Sequence, residues 1–173
     1  AAKLSDADIM VFMTQDAVPA DQDLIQNLIR PLQENPKVGA AFARQLARED
    51  CAYLEKYTRT FNYPDKSSVK WEKDTAAYGI KTYFCSNVCA AYKKKIYQEM
   101  GGFIEHAIFN EDMIYAATAM EAGYAVAYVP DAKVIHSHNL TPMQQFHRNF
   151  DLAVSQAEHP EIFADLKSEG EGI

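Results

Sequence analysis

Three short stretches of this sequence carry residue types that do chemistry together. The first is Thr14-Gln15-Asp16-Ala17, directly after the apolar run Ile9-Met10-Val11-Phe12-Met13. In open α/β sheets, ligands bind beyond the carboxyl ends of the strands, and a carboxylate there can hold a hard divalent cation that grips phosphate groups. The plainer alternative is that Asp16 only forms a turn before Pro19. The second stretch is Asn110-Glu111-Asp112 at a helix start. Acids in a first turn complement the helix dipole, so the pair is either ordinary capping or supplies a general base. The third is His136-Ser137-His138 after a short strand, where alternation sends both rings to one side. Such rings either complete a metal site or serve as satisfied structural histidines. A strand-end acid, a helix-start acid pair and strand-end histidines are the components of metal-assisted group transfer.

The elements that must position them can be read from periodicity. Ile9 to Thr14 reads as a buried strand. Asp21 can cap a helix whose apolar positions are Leu24, Ile25, Leu28, Ile29 and Leu32, with Pro31 kinking or shortening its last turn and Pro36 stopping it. Val38 to Arg44 reads as a second strand. Leu46 to Lys81 shows no clear period, and Asn62-Tyr63-Pro64-Asp65 reads as a turn. A strand is expected within Thr82 to Tyr92, then a short helix from Lys93 to Met100 closed by Gly101-Gly102. Asn110 caps a helix that ends at Gly123. Ala125 to Tyr128 and Val134 to His136 read as two strands around a turn at Pro130-Asp131. Thr141-Pro142-Met143-Gln144 is a capping box, and Met143, Phe146, Phe150 and Val154 form the apolar stripe of the last helix. Alternating strands and helices give an α/β class with a largely parallel sheet, flanked by helices.

Composition narrows the function classes. With 173 residues and 48% hydrophobic content, the chain can bury one core, and a single domain over 1–173 is expected. A net charge of -7 does not suit a nucleic-acid binder. It leaves room for an anionic ligand held through a metal, because the ion supplies the local positive charge. No apolar stretch reaches the length of a transmembrane helix. Cys51, Cys85 and Cys89 are an odd number without a Cys-x-x-Cys pair. They read as buried residues in a reducing compartment rather than as disulfides or metal ligands.

The order and wording of several segments resemble glycosyltransferase family two, most closely its bacterial rhamnosyltransferase-like members. The matching stretches run from Val11 to Pro19, from Cys85 to Tyr92, over Gly101-Gly102-Phe103, Asn110-Glu111-Asp112-Met113, Gly123-Tyr124 and Val134 to Asn139, and include Arg148-Asn149-Phe150-Asp151. The resemblance implies a GT-A fold and an inverting transfer of a sugar from a nucleotide-diphosphate donor, rhamnose from a dTDP-sugar, to a glycan or lipid-linked acceptor. It also implies Mg²⁺ or Mn²⁺ as cofactor and a cytoplasmic site of action, at the inner face of the membrane with peripheral association.

By the same resemblance, Asp16 matches the metal-ligating last acid of the family's Asp-x-Asp motif, whose first acid is replaced here by Thr14. His136 matches the later metal ligand, with His138 the second choice. Asp112 matches the catalytic base, with Glu111 the runner-up. Thr14, Gln15, Ser86, Asn87, His138 and Arg148 are assigned to donor or acceptor binding, and Arg59 to Pro64 to the same side. Two other classes share these features: a nucleotidyltransferase, and a non-catalytic glycan- or partner-binding domain that would not need Asp112. The family begins with a βαβ half that holds the nucleotide base, and no such region is found here. The tail from Ser168 to Ile173 also lacks a closing element. The expectation is a C-terminal part that folds, has no transferase activity alone, binds nucleotide diphosphates no better than roughly millimolar, and self-associates through an exposed strand edge.

Overall fold

The first helix shows how the sequence builds the scaffold. Leu24, Leu28 and Leu32 recur every fourth residue, so one face of α1 (Leu24–Glu34) is apolar, and all three are buried. Asp21 stands before it, but its carboxylate accepts from the Asp23 amide (3.0 Å) and the helix starts at Leu24. α1 runs on through Pro31 to Glu34. It packs on β3 (Val38–Leu46) and on the long strand β6 (Ala125–Ile135). The computed structural model describes residues 2–164 and 166; the tail from Ser168 to Ile173 lies outside them.

The sheet holds six strands in the order β1-β5-β3-β6-β2, with β4 also on β6. β1 is Ile9–Met13, β2 Val18–Pro19, β4 Ser68–Lys70 and β5 Cys89–Lys93. β3 and β6 pair in parallel, while β5 lies antiparallel between β1 and β3. The three strands β1, β3 and β6 therefore share one direction, and the short strands β2, β4 and β5 run against them. Alternation along β3 sends Ala40 and Phe42 into one core and Ala41 and Ala43 into the other. The second core is filled by α1. The first is filled by α5 (Glu111–Glu121) and by an aromatic cluster in which Tyr92, fully buried, meets Tyr115 edge-on at 5.1 Å.

Several expectations are corrected. β1 lies at the sheet edge among the described residues, not in the interior, and Val11 and Met13 are exposed. The stretch without a period holds α2 (Tyr53–Asn62), β4 and the single turn α3 (Thr75–Tyr78). α2 has no fully buried residue, which is why its period is hidden. The strand expected within Thr82 to Tyr92 is present as β5 in the last part of that stretch, after a 3₁₀ turn over 79–82. The two strands around Pro130-Asp131 are one strand. Its register slips from Ala43↔Val129 to Arg44↔Lys133, leaving Pro130, Asp131 and Ala132 as a bulge where proline cannot donate to the ladder.

The short helix is found as α4 (Lys94–Glu99), closed by Gly101 and Gly102 at φ 80° and 81°. Asn110 stands before α5 in the left-handed region (φ 67°) and makes no side-chain cap; its amide donates to the Leu152 carbonyl instead. The Thr141–Gln144 capping box opens α6 (Pro142–Ala157) as expected. The stripe of Met143, Phe146 and Phe150 is nevertheless exposed, and α6 is held partly through buried Ser155, whose hydroxyl donates to the Phe109 carbonyl (2.6 Å). A last turn, α7 (Pro160–Phe163), follows.

Replacing Leu28, which is 0% exposed, with Ala should lower stability by about 2–5 kcal/mol. Ile25→Ala on the exposed face should stay within about 0.5 kcal/mol. Urea unfolding midpoints check this; equal losses would mean that α1 packs through a different face.

Candidate active site

Asp16 and the two histidines are brought together by a crossing of the chain. Two strands, β5 and β3, separate β1 from β6 in the sheet, yet the segment after β1 turns across the carboxyl edge. An Ala17 amide bond to the Thr14 carbonyl (3.2 Å) makes the turn, and β2 then pairs antiparallel with the end of β6, Val18 opposite Ile135. Asp16, two residues before Val18, thus meets His136, one residue after Ile135. The Asp16 Oδ2 lies 3.4 Å from both His136 Nε2 and His138 Nε2, and the two ring nitrogens are 3.1 Å apart. One ligand atom from each residue falls within 4.8 Å of the others.

The electrostatics suit a cation. The Thr14 hydroxyl beside Asp16 holds its carboxyl below the usual range, and His136 contributes in the same direction. Burial, and then the positive charge of Arg59, push His136 down to about 4, so its ring is neutral near pH 7 with a nitrogen lone pair to offer. His138, the second choice from sequence, belongs to the same cluster as the first. This donor set of one carboxylate and two imidazoles fits a divalent first-row ion. Two of the three thiols, Cys85 and Cys89, are pushed up by burial to about 12 and about 11, and all three cysteines are free, as expected of packing residues.

The acids at the start of α5 are held by one residue. The Asn87 amide donates to Asp112 Oδ2 (3.0 Å), and its side-chain amide donates to Glu111 Oε1 (2.9 Å). Its carbonyl oxygen accepts from the buried Tyr92 hydroxyl (2.7 Å). Asp112 is raised to about 7 by burial, then by the charge of Glu111, against the lowering bonds from Asn87 and Met113. A carboxyl poised near neutrality is suited to take a proton at working pH.

Further residues join the two halves. Gln45, buried at the end of β3, donates to Ser86 Oγ (2.9 Å) and to the Tyr63 hydroxyl (2.5 Å), and its oxygen faces His136 Nδ1 (2.9 Å). Ser86 precedes Asn87, so a short path of hydrogen bonds runs from the histidines to Asp112. Sequence reading missed Gln45, although a glutamine inside an apolar strand was a signal: a buried amide must be hydrogen-bonded. The loop holding Ser86 and Asn87 is pinned from below by Lys70, whose ammonium donates to the Lys81 and Phe84 carbonyls and is lowered by burial to about 8.

The remaining assignments fare differently. Ser86 and Asn87 do lie at the site, but Asn87's side chain is committed to Glu111 and Tyr92, and Ser86 to Gln45. Gln15 is exposed beside Asp16. Arg148 lies over the Phe109 ring at 5.3 Å, three residues before Asp112. Arg59 turns onto Glu55 (2.7 Å) and Gln45.

Comparison with known proteins fits this geometry. The description "Glycosyltransferase like family 2" matches residues 1–157. The O-antigen chain rhamnosyltransferase RfbN of Salmonella typhimurium is 46% identical over 98% of this chain and 54% of its own length. The O-antigen chain rhamnosyltransferase WbaN of Salmonella anatum is 40% identical over 98% of this chain and 53% of its own. The chain thus spans about half the length of these curated relatives. Among solved structures, the mannosyltransferase PcManGT of Pyrobaculum calidifontis, in complex with GDP-Man and Mn²⁺, superposes with a TM-score of 0.60 over 91% of this chain and 39% of its own. At 18% identity that likeness speaks for the fold, and it bears out the expected GT-A α/β architecture. The resemblance read from the stretches between Val11 and Asp151 therefore holds along nearly the whole sequence, and the chain belongs to glycosyltransferase-like family 2.

Proposed function

We propose that the intact protein is an inverting rhamnosyltransferase that moves the sugar from a dTDP-linked donor to a glycan or lipid-linked acceptor. The observation that carries this reading is Asp112, raised to about 7 and tied through Asn87, Ser86 and Gln45 to the Asp16–His136–His138 cluster. The names of the curated relatives support the rhamnose and the glycan. Asp112 takes the proton of the acceptor hydroxyl as that oxygen attacks the anomeric carbon, and the bond to the donor diphosphate breaks on the opposite face. Glu111 is the second candidate; its carboxylate accepts from the Asn87 side chain, and its charge serves to keep Asp112 protonatable near neutral pH.

Asp16, His136 and His138 would hold the cation, which when bound offsets charge on the departing diphosphate. Two imidazoles favour Mn²⁺ over Mg²⁺, which prefers oxygen ligands. Thr14 replaces an acid, so it adds a hydroxyl but no charge to this site. Among the described residues, no helix is long and apolar enough to cross a membrane. The three free, buried cysteines suit the cytoplasm, where we place the reaction, at the inner face of the membrane.

With dTDP-rhamnose and acceptor, Asp112→Asn in the intact enzyme should lower turnover by roughly 10² to 10⁴. Wild-type kcat/KM should climb with pH and level off above about 7, because the base must lose its proton. Turnover that survives in Asp112→Asn but collapses in Glu111→Gln would reverse the two roles. Failure to use any of a panel of nucleotide sugars, with glycan binding intact, would favour a non-catalytic domain.

The same shift has a thermodynamic sign. The folded Asp112 keeps a proton that the unfolded chain, near its ordinary 3.8, releases. Its contribution to stability is therefore full below about pH 4 and is lost as pH rises through about 7. Asp112→Asn should then melt higher than wild type at pH 8, with the gap shrinking toward pH 4. A variant that melts lower at pH 8 would show that the carboxylate is fully compensated in the fold. Chelation should stop transfer, with Mn²⁺ restoring more rate than Mg²⁺; unchanged turnover in excess chelator would remove the metal from the scheme.

A further inference from the structure

Gln45 is 2% exposed and lies within hydrogen-bond distance of four side chains. Two of these, the Tyr63 and Ser86 hydroxyls, can donate or accept, so they accommodate either orientation of the amide. The third cannot. The Arg59 guanidinium has only N–H groups, and its Nη1 faces Gln45 Oε1. Turning the amide over would set N–H against N–H in a buried place, so Arg59 decides which end of Gln45 is oxygen. Arg59 is itself fixed by Glu55 (2.7 Å), whose carboxylate also accepts from the His138 amide (3.2 Å).

The fourth partner is His136 Nδ1, 2.9 Å from that same oxygen. An amide oxygen only accepts, so Nδ1 must carry the hydrogen. A neutral imidazole has one N–H, which leaves Nε2 with its lone pair. Nε2 is the atom that faces Asp16 Oδ2 and His138 Nε2. The opposite tautomer would aim a hydrogen at the place where a cation has to sit.

We propose that Arg59 and Gln45 are positioning residues that lock His136 in its Nδ1–H tautomer, so that Nε2 is presented to a divalent cation shared with Asp16 and His138. This rests on the metal-site reading above. It assigns to Arg59, on α2 and outside the strands that carry the site, a role in metal affinity without contact to the metal. It also explains why a buried strand tolerates a glutamine at its end. Partners of this kind orient a ligating ring, and their loss commonly weakens metal binding 10- to 100-fold.

The test uses the full chain and Mn²⁺ alone, with free Mn²⁺ read by electron paramagnetic resonance and folding confirmed by circular dichroism. Gln45→Leu removes the acceptor and should weaken Mn²⁺ binding 10- to 100-fold. Gln45→Glu keeps oxygens toward both Arg59 and His136 and should bind within a few-fold of wild type. Arg59→Met frees the amide to turn and should fall between them. Asp16→Asn separates the two readings. If it leaves Mn²⁺ binding unchanged, the cluster is not the metal site. If it abolishes binding while Gln45→Leu binds like wild type, the site stands and the positioning role fails. Should Gln45→Leu not fold, nitrogen-15 imidazole shifts of the metal-free wild-type protein decide the matter: His136 protonated at Nδ1 is the expected result, and His136 protonated at Nε2 overturns the proposal.

Discussion

The pairing of Val18 with Ile135 is the constraint on which the site depends. It is a two-residue strand, yet it carries the end of β1 across the sheet and closes Asp16 against histidines 120 positions later in the chain. Without it, the carboxyl ends of β1 and β6 would stand apart, separated by β5 and β3. Proline at position 19 costs little there, because an edge strand has one side without a ladder partner to serve. The Ala20 amide adds a bond to the Lys133 carbonyl (3.0 Å) and extends the same contact by one residue.

A second constraint is the crowding around Asp112. Burial raises its proton affinity by removing water and the charge of Glu111 adds to it, while the backbone amides of Asn87 and Met113 favour the charged form. Burial is the larger influence, and the balance falls near neutrality rather than at either extreme. The aromatic cluster behind it, from Phe12 to Tyr115, is therefore more than packing. Its fixed rings hold the Tyr92 hydroxyl against Asn87, and through Asn87 they fix both acids. Core and chemistry share side chains here.

The class of fold was legible because its main signals are local. Leucines at 24, 28 and 32, the glycine pair at 101 and 102, and the Thr141 capping box each declare an element within a few residues. The elements that escaped have non-local causes. α2 is stabilised by docking, with the Ala52 amide bound to Asn139 (2.8 Å) and Glu55 to the His138 amide, so its own pattern says little. β6 looked like two strands because a proline interrupts it, and only its neighbour β3 shows that pairing resumes. For the site, residue types and the family resemblance singled out Asp16, Asp112 and the histidines, and the fold brings Asp16 to both rings. Gln45 and the inward turn of Arg59 depend on which side chains a fold brings face to face, and the one-dimensional pattern does not contain that.

Lys70 has a consequence for how this protein can diversify. Its ammonium grips main-chain carbonyls at 81 and 84 rather than side chains, and it lies over the Phe42 and Phe84 rings at 5.9 Å. Every amino acid offers a carbonyl, so the bond from Lys70 does not depend on the side chain at position 81, although the Lys81 ammonium itself lies 4.5 Å from the centre of the Phe61 ring. Lineages could exchange residues there while the backbone keeps presenting Ser86 and Asn87 in register with the acids. A buried lysine thus lets the main chain, rather than its side chains, hold Ser86 and Asn87 where they are.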